Sequence, residues 1–175
     1  MIMKRLTMLI LMAFLSVGLY AGDVLQTYNL KDINGKVIKM EAFDGGIRFP
    51  DFKGKAVLLN FFGYFCPPCL AEIPHLVKIE DEFKDKFHIV ALQVQKRMGE
   101  GELANFVKKH NINYTVIGMD DPKIFDLINF VTVKTGWGGQ IPFMILLDKN
   151  GNAITTYLGK QSEETLIRDI KSVTK

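Results

Sequence analysis

Hydrophobic positions change rhythm along the chain, and the changes mark its elements. Ala56-Val57-Leu58-Leu59-Asn60-Phe61-Phe62 is a nearly unbroken apolar run, the pattern of a strand buried on both faces and placed mid-sheet. From Cys66 to Lys84 the apolar positions Ile73, Leu76, Val77, Ile79 and Phe83 fit one face of a helix better than they fit alternation. His88 to Val94 reads as a second buried strand, Glu102 to His110 as a helix, Tyr114 to Gly118 as a short strand and Pro122 to Phe130 as a further helix. Strands alternating with helices imply a largely parallel sheet covered on both sides.

Turn chemistry adds a hairpin at each end. Asp32-Ile33-Asn34-Gly35 separates Val24 to Leu30 from Lys36 to Met40, and Asp148-Lys149-Asn150-Gly151 separates Pro142 to Leu147 from Ala153 to Leu158. Phe43 to Lys55, with Gly45-Gly46, Pro50 and Gly54, reads as a loop leading to the first central strand. Ser162, followed by Glu163 and Glu164, is a capped start for a last helix whose inward stripe is Leu166, Ile167, Ile170 and Val173.

Residues 1–22 have a different character: Lys4 and Arg5, then an uncharged run from Leu6 to Tyr20, then the small residues Ala21-Gly22. This is the layout of an export signal, which places the remaining domain, residues 23–175, in the periplasm or another extracytoplasmic space. The apolar run of residues 6–20 falls short of the roughly 20 residues that span a bilayer, so cleavage is favoured, with retention as a membrane anchor the alternative. The 175 residues suit one domain with a real core, and 48% hydrophobic with 23% charged is a globular composition. The net charge of +3 falls to +1 without Lys4 and Arg5, which leaves no electrostatic case for nucleic acid. Lys108-Lys109-His110 is the solvated end of a helix, where cations complement the dipole.

The chain has two cysteines, Cys66 and Cys69, separated by two intervening residues where a buried strand hands over to a helix. Unpaired N–H groups and the dipole at a helix start stabilise a thiolate, so Cys66 is the expected nucleophile. It would attack a partner disulfide, and Cys69, one helical turn along, would resolve the mixed disulfide. A purely structural disulfide across so short a loop contributes little by loop closure. A metal site lacks further ligands, since His75, His88 and His110 stand at unhelpful spacings. Haem attachment is excluded because Leu70, not histidine, follows Cys69.

The segment from Leu59 to Pro74, with Phe65-Cys66-Pro67-Pro68-Cys69 at its centre, resembles the thioredoxin superfamily, and within it the exported TlpA-like thioredoxins. The resemblance implies a thioredoxin fold: a central mixed sheet with helices on both faces, an N-terminal β-hairpin and a helical insertion before the last two strands. It implies that Pro74 kinks the active-site helix, the alternative being a helix that begins after it. It also implies that Gly138-Gly139-Gln140-Ile141-Pro142-Phe143 is the cis-proline loop, holding Ile141 and Pro142 beside the cysteines where the Ile141 backbone pairs with a client strand. Glu72 matches a glutamate that TlpA-like proteins keep near the active site; it reads either as a proton acceptor for Cys69 or as a solvated first-turn acid. The usual tryptophan before the first cysteine is Phe65 here, and Asn60 stands where cytosolic thioredoxins bury an aspartate. Pro67 and Pro68 have no N–H to offer Cys66. Phe65, Pro67, Pro68, Ile141 and Trp137 form the expected client surface, with Trp137, between Gly136 and Gly138, as a partner contact or a lid; Phe130, Val131 and Val133 read as core.

The function so implied is reduction of exported proteins, with apocytochrome c cysteine pairs among the clients. Alternatives are a disulfide-forming oxidant and, from another class, a Cu(I) metallochaperone holding the metal on both thiolates. A thiol peroxidase ranks lowest, because Gly63 occupies the threonine position of the peroxiredoxin Thr-x-x-Cys pattern. With no second cysteine pair and no flavin or nicotinamide fingerprint, no cofactor is expected, and electrons must come from another protein, which the resemblance makes a membrane thiol donor.

Overall fold

The computed structural model describes residues 22–99 and 101–175, so the expected export segment, residues 1–22, falls outside it but for Gly22. Strands β1 (Val24–Lys31) and β2 (Val37–Phe43) form the first hairpin, and β3 (Gly46–Arg48) pairs antiparallel with β2. The stretch expected as loop thus contains β3 and a 3-10 turn over Pro50–Phe52. Two glycines allow this: a Cβ on Gly46 would lie 2.1 Å from the Gly151 carbonyl oxygen, and Gly151 itself, at φ 86°, packs against Ile47 and Arg48.

β4 (Ala56–Phe62) is buried along its whole length, as its apolar run requires, and feeds α1 (Pro67–Phe83). Then follow β5 (Phe87–Gln93), α2 (Glu102–Lys109), β6 (Thr115–Ile117), α3 (Lys123–Thr135), β7 (Phe143–Leu147), β8 (Ala153–Leu158) and α4 (Glu163–Val173). The second sheet has the order β6-β5-β4-β7-β8, with β4 at its centre. β4 is parallel to β5, and β5 to β6, whereas β7 runs antiparallel to both β4 and β8. The sheet is therefore mixed, as the thioredoxin resemblance implies, and not largely parallel as the alternation of helices and strands alone suggests, because the last two strands return through a hairpin. α3 runs on past Phe130 to Thr135 and stops at Gly136, whose φ of 72° suits a residue without Cβ.

The alternation of β4 divides the core in two. Leu59 and Phe61 face the N-terminal hairpin and α3, packing with Tyr28, Leu30, Ile124 and Leu127. Leu58 and Phe62 face α1, α2 and α4, packing with Leu76, Ile79, Leu103 and Leu166. On that second side buried Glu80 of α1 is fully engaged: Oε2 accepts the Ile89 N–H at 2.8 Å and Oε1 lies 2.6 Å from His88 Nδ1, whose Nε2 reaches Thr115 Oγ1 at 2.8 Å. The cluster ties α1 to β5 and β6.

Trp137 departs from expectation. It is 5% exposed, stacks on Phe143 at 5.0 Å and tilts against Phe61 at 4.7 Å. Flanking glycines suggested an exposed ring, but the aromatic partners on β4 and β7 draw it into the core, so it is neither a client contact nor a lid. Of its neighbours, Val131 is buried and Val133 is 73% exposed, which removes Val133 from the expected core. Trp137→Ala should lower the unfolding free energy by about 3–5 kcal/mol, read from urea denaturation with the disulfide intact.

Candidate redox site

Cys66 is the N-cap of α1. Its backbone is extended, φ −107° and ψ 100°, and its Sγ accepts the Cys69 N–H at 3.3 Å, the side-chain bond a helix start calls for. Pro67 at N1 gives up nothing, since that N–H has no partner within the helix, and its fixed φ is already helical. Pro68 removes the N2 donor as well, so Cys69 supplies the helix N–H that reaches the sulfur. The two cysteines form a disulfide with Cα atoms 5.2 Å apart. Both are buried, Cys66 at 6% and Cys69 at 3% exposure, while Phe65 beside them is 71% exposed and packs on Tyr64 at 4.2 Å. Pro67 and Pro68 are exposed as well.

α1 runs unbroken through Pro74, so the helix does not begin after it. The Ile141–Pro142 peptide is cis, and the Ile141 carbonyl oxygen lies 3.8 Å from Cys66 Sγ. Trp137 holds this loop from beneath, its Nε1 donating to the Gln140 carbonyl at 2.6 Å. Pro142 is buried and Ile141 half-buried. The arrangement is an open surface with a buried sulfur pair, bordered by Phe65 and Ile141. An apolar cavity of about 460 Å³, lined by Phe43, Ile47, Phe49, Val57 and Leu147, lies at the opposite end of β4 from the cysteines, so it takes no part in their chemistry.

Glu72 lies three residues beyond Cys69, on the same face of α1. It is 1% exposed, which rules out the solvated first-turn acid. Oε1 accepts the Gln161 N–H at 2.8 Å, and Oε2 is buried without a partner among the described residues. Burial disfavours the charged form and pushes its pKa up to about 7; the Gln161 hydrogen bond and the charge of Lys160 pull the other way and lose. Burial, aided by Glu72 and Glu80, also raises Tyr114 above its ordinary value, keeping that phenol protonated. Asn60 and Gln93, both buried and both facing the α1 side of the sheet by strand alternation, carry amide atoms with no partner among the described residues: Oδ1 of Asn60 and both ends of Gln93.

Three contacts were beyond sequence reasoning: the Gln161 N–H on Glu72, the indole of Trp137 on Gln140, and Gln95, whose Oε1 accepts the Phe65 N–H at 2.9 Å. The first and third join segments far apart in sequence, while the second spans three residues and forms because the indole is buried in the core. Among the described residues no group of three or more His, Cys, Asp and Glu side chains is placed to hold a metal ion.

A carboxyl that ionises near 4.5 when unfolded and near 7 when folded makes folding take up a proton between those values. Its contribution is fully present below about pH 4.5 and is lost as pH rises through about 7. Between pH 5 and 8 the oxidised protein should therefore lose on the order of 2–3 kcal/mol of stability relative to Glu72→Gln, which removes the titration; urea unfolding of both proteins at the two pH values measures the difference.

The AhpC/TSA family matches residues 21–170. The thiol-disulfide oxidoreductase ResA of Bacillus cereus is 29% identical over 154 residues, covering 87% of this chain and 78% of its own. A thioredoxin-family thiol:disulfide interchange protein of Chlorobium tepidum superposes with a TM-score of 0.66 at 24% identity, over 88% of this chain and 97% of that one. A secreted disulfide oxidoreductase of Mycobacterium tuberculosis does so with a TM-score of 0.60 at 18% identity, over 83% and 95%. With a cysteine pair at the start of a helix, in this fold and among these relatives, the chain belongs to the AhpC/TSA family and is a thioredoxin-like thiol-disulfide oxidoreductase.

Proposed function

We propose that the protein works in the cell envelope as a reductant of disulfides in exported proteins, apocytochrome c cysteine pairs among them. The observation that carries the reading is the sulfur pair itself: Cys66 Sγ held by the Cys69 N–H beside the Ile141 carbonyl, on an open surface that suits a protein client. Cys66 attacks the client disulfide and Cys69 resolves the mixed disulfide, releasing a dithiol client and leaving Cys66–Cys69 oxidised. Glu72 accepts the proton that Cys69 must lose before it attacks; a buried base that titrates near 7 is matched to that task at neutral pH. Pro142 and Ile141 present one edge for a client strand, and Phe65, Pro67 and Pro68 form the apolar rim around the nucleophile.

Residues 1–22 act as an export signal or an anchor, and residues 23–175 as the working domain. The basic, apolar and small-residue layout of the first segment supports this, as does the secreted character of the similar Mycobacterium tuberculosis protein. Having one cysteine pair, the protein needs a thiol donor, which for an exported protein must hand electrons across or along the membrane. The likeness to TlpA-like proteins supports the reducing direction.

The deciding measurement is the equilibrium reduction potential of Cys66 and Cys69 in thiol buffers. A value near about −270 mV or lower is expected of a reductant, and one near or above about −120 mV would mark an oxidant and end the cytochrome reading. Cys69→Ser should trap clients as mixed disulfides on Cys66, seen as adducts that thiols release, whereas Cys66→Ser should trap none.

A further inference from the structure

Gln95 lies in the connection after β5, outside every motif in the chain, yet it reaches the redox loop. Its Oε1 accepts the Phe65 N–H at 2.9 Å. The same oxygen stands 2.6 Å from the point where a Cβ on Gly63 would sit, and Ile141 Cδ1 stands 2.6 Å from that point on another side. One carboxamide therefore shares the notch above Gly63 with the cis-proline loop and bonds to the Tyr64–Phe65 peptide. A side chain at Gly63 would have to displace the ends of these two side chains.

The tie matters because the loop has few others. Gly63, Tyr64 and Phe65 carry the chain from the end of β4 to the N-cap of α1, and among the described residues the Phe65 N–H has no other acceptor. Pro67 and Pro68 offer no N–H to fasten the other side. In the oxidised protein the Cys66–Cys69 bond pins the loop to α1. Once that bond opens, the one from Phe65 to Gln95 is the remaining side-chain hydrogen bond on the segment before Cys66 among the described residues.

We infer that Gln95 is a positioning residue for thiol-disulfide exchange. By fixing the Tyr64–Phe65 peptide it keeps Cys66 in the extended N-cap conformation, with the sulfur directed at the Cys69 N–H, and this hold counts most in the dithiol form. Gln95 acts through the loop and contacts neither sulfur. The inference rests on the exchange chemistry of the cysteine pair and holds for either direction of electron flow.

The test compares the reduced full chain with Gln95→Leu, which has no acceptor, and Gln95→Glu, which keeps one. Gln95 is exposed, so both should fold, with unchanged thermal midpoints in the oxidised form. Gln95→Leu should abolish the amide-exchange protection of Phe65, move the Cys66 thiolate titration upward, and slow reduction of a disulfide-bonded peptide about tenfold, the effect of one lost hydrogen bond of about 1.4 kcal/mol. Gln95→Glu should restore the Phe65 protection. The inference is overturned if Phe65 exchanges as fast in the parent as in Gln95→Leu, if the leucine variant keeps the parental titration and rate, or if the glutamate variant leaves Phe65 unprotected. A parent chain that exchanges no disulfide would sink the oxidoreductase reading, while Phe65 protection and the thiol titration would still decide what Gln95 does.

Discussion

Everything at the working end of this molecule depends on one hydrogen bond, from the Cys69 N–H to the Cys66 sulfur at the start of α1. The bond requires Cys66 to be extended and Pro67 to be helical, so strand must give way to helix within a few residues. That handover is enforced from behind. β4 is the central strand, paired on both sides and buried on both faces, and α1 is fastened to β5 and β6 through Glu80, His88 and Thr115. Neither element can shift without breaking a core, so the sulfur is presented in a fixed place.

The second constraint is a buried carboxyl. Glu72 has one oxygen satisfied by the Gln161 N–H and one without a partner among the described residues, an arrangement that costs stability whenever the group is ionised. The Gln161 bond also makes the site depend on the far end of the chain, because Gln161 sits in the connection between β8 and α4. On the same side of the sheet as α1 the fold also tolerates Asn60 and Gln93 with amide atoms that have no partner among the described residues. Polar groups of this kind are rare in a well-packed core and gather where chemistry needs them. A sulfur that must shed and regain a proton away from solvent is such a need.

Most of the fold was legible because its elements obey local rules. The apolar run of β4, the periodicity of α1, the Asp-x-Asn-Gly turns and the Ser162 cap each name an element from a few adjacent residues, and each lies where it was expected within a residue or two. The cysteine pair was legible for the same reason. What was missed is long-range. β3 forms because Gly46 and Gly151 let two distant segments touch. Trp137 was misplaced because flanking glycines say nothing of Phe61 and Phe143, which claim the ring. Glu72 could not be assigned a burial state from spacing on α1 alone, since Gln161 and the α4 side of the core decide it.

The two prolines between the cysteines connect these points. An ordinary helix start offers a sulfur several N–H donors; this one offers Cys69 alone, because the N1 and N2 residues are Pro67 and Pro68. A thiolate there is held by one helix donor and by the dipole, so its stability is unusually sensitive to how well the preceding loop keeps the sulfur on that donor. The loop in turn is set by side chains from elsewhere: Gln95 on the Phe65 N–H, and Ile141 over Gly63, above a Gln140 carbonyl gripped by Trp137. Rigid prolines remove both donors and flexibility from the helix start, and the positioning passes to two separate segments that converge on it, the connection after β5 and the one before β7. The redox pair is therefore a product of the tertiary fold as much as of its own four residues, and a change in either of those segments reaches the sulfur without touching it.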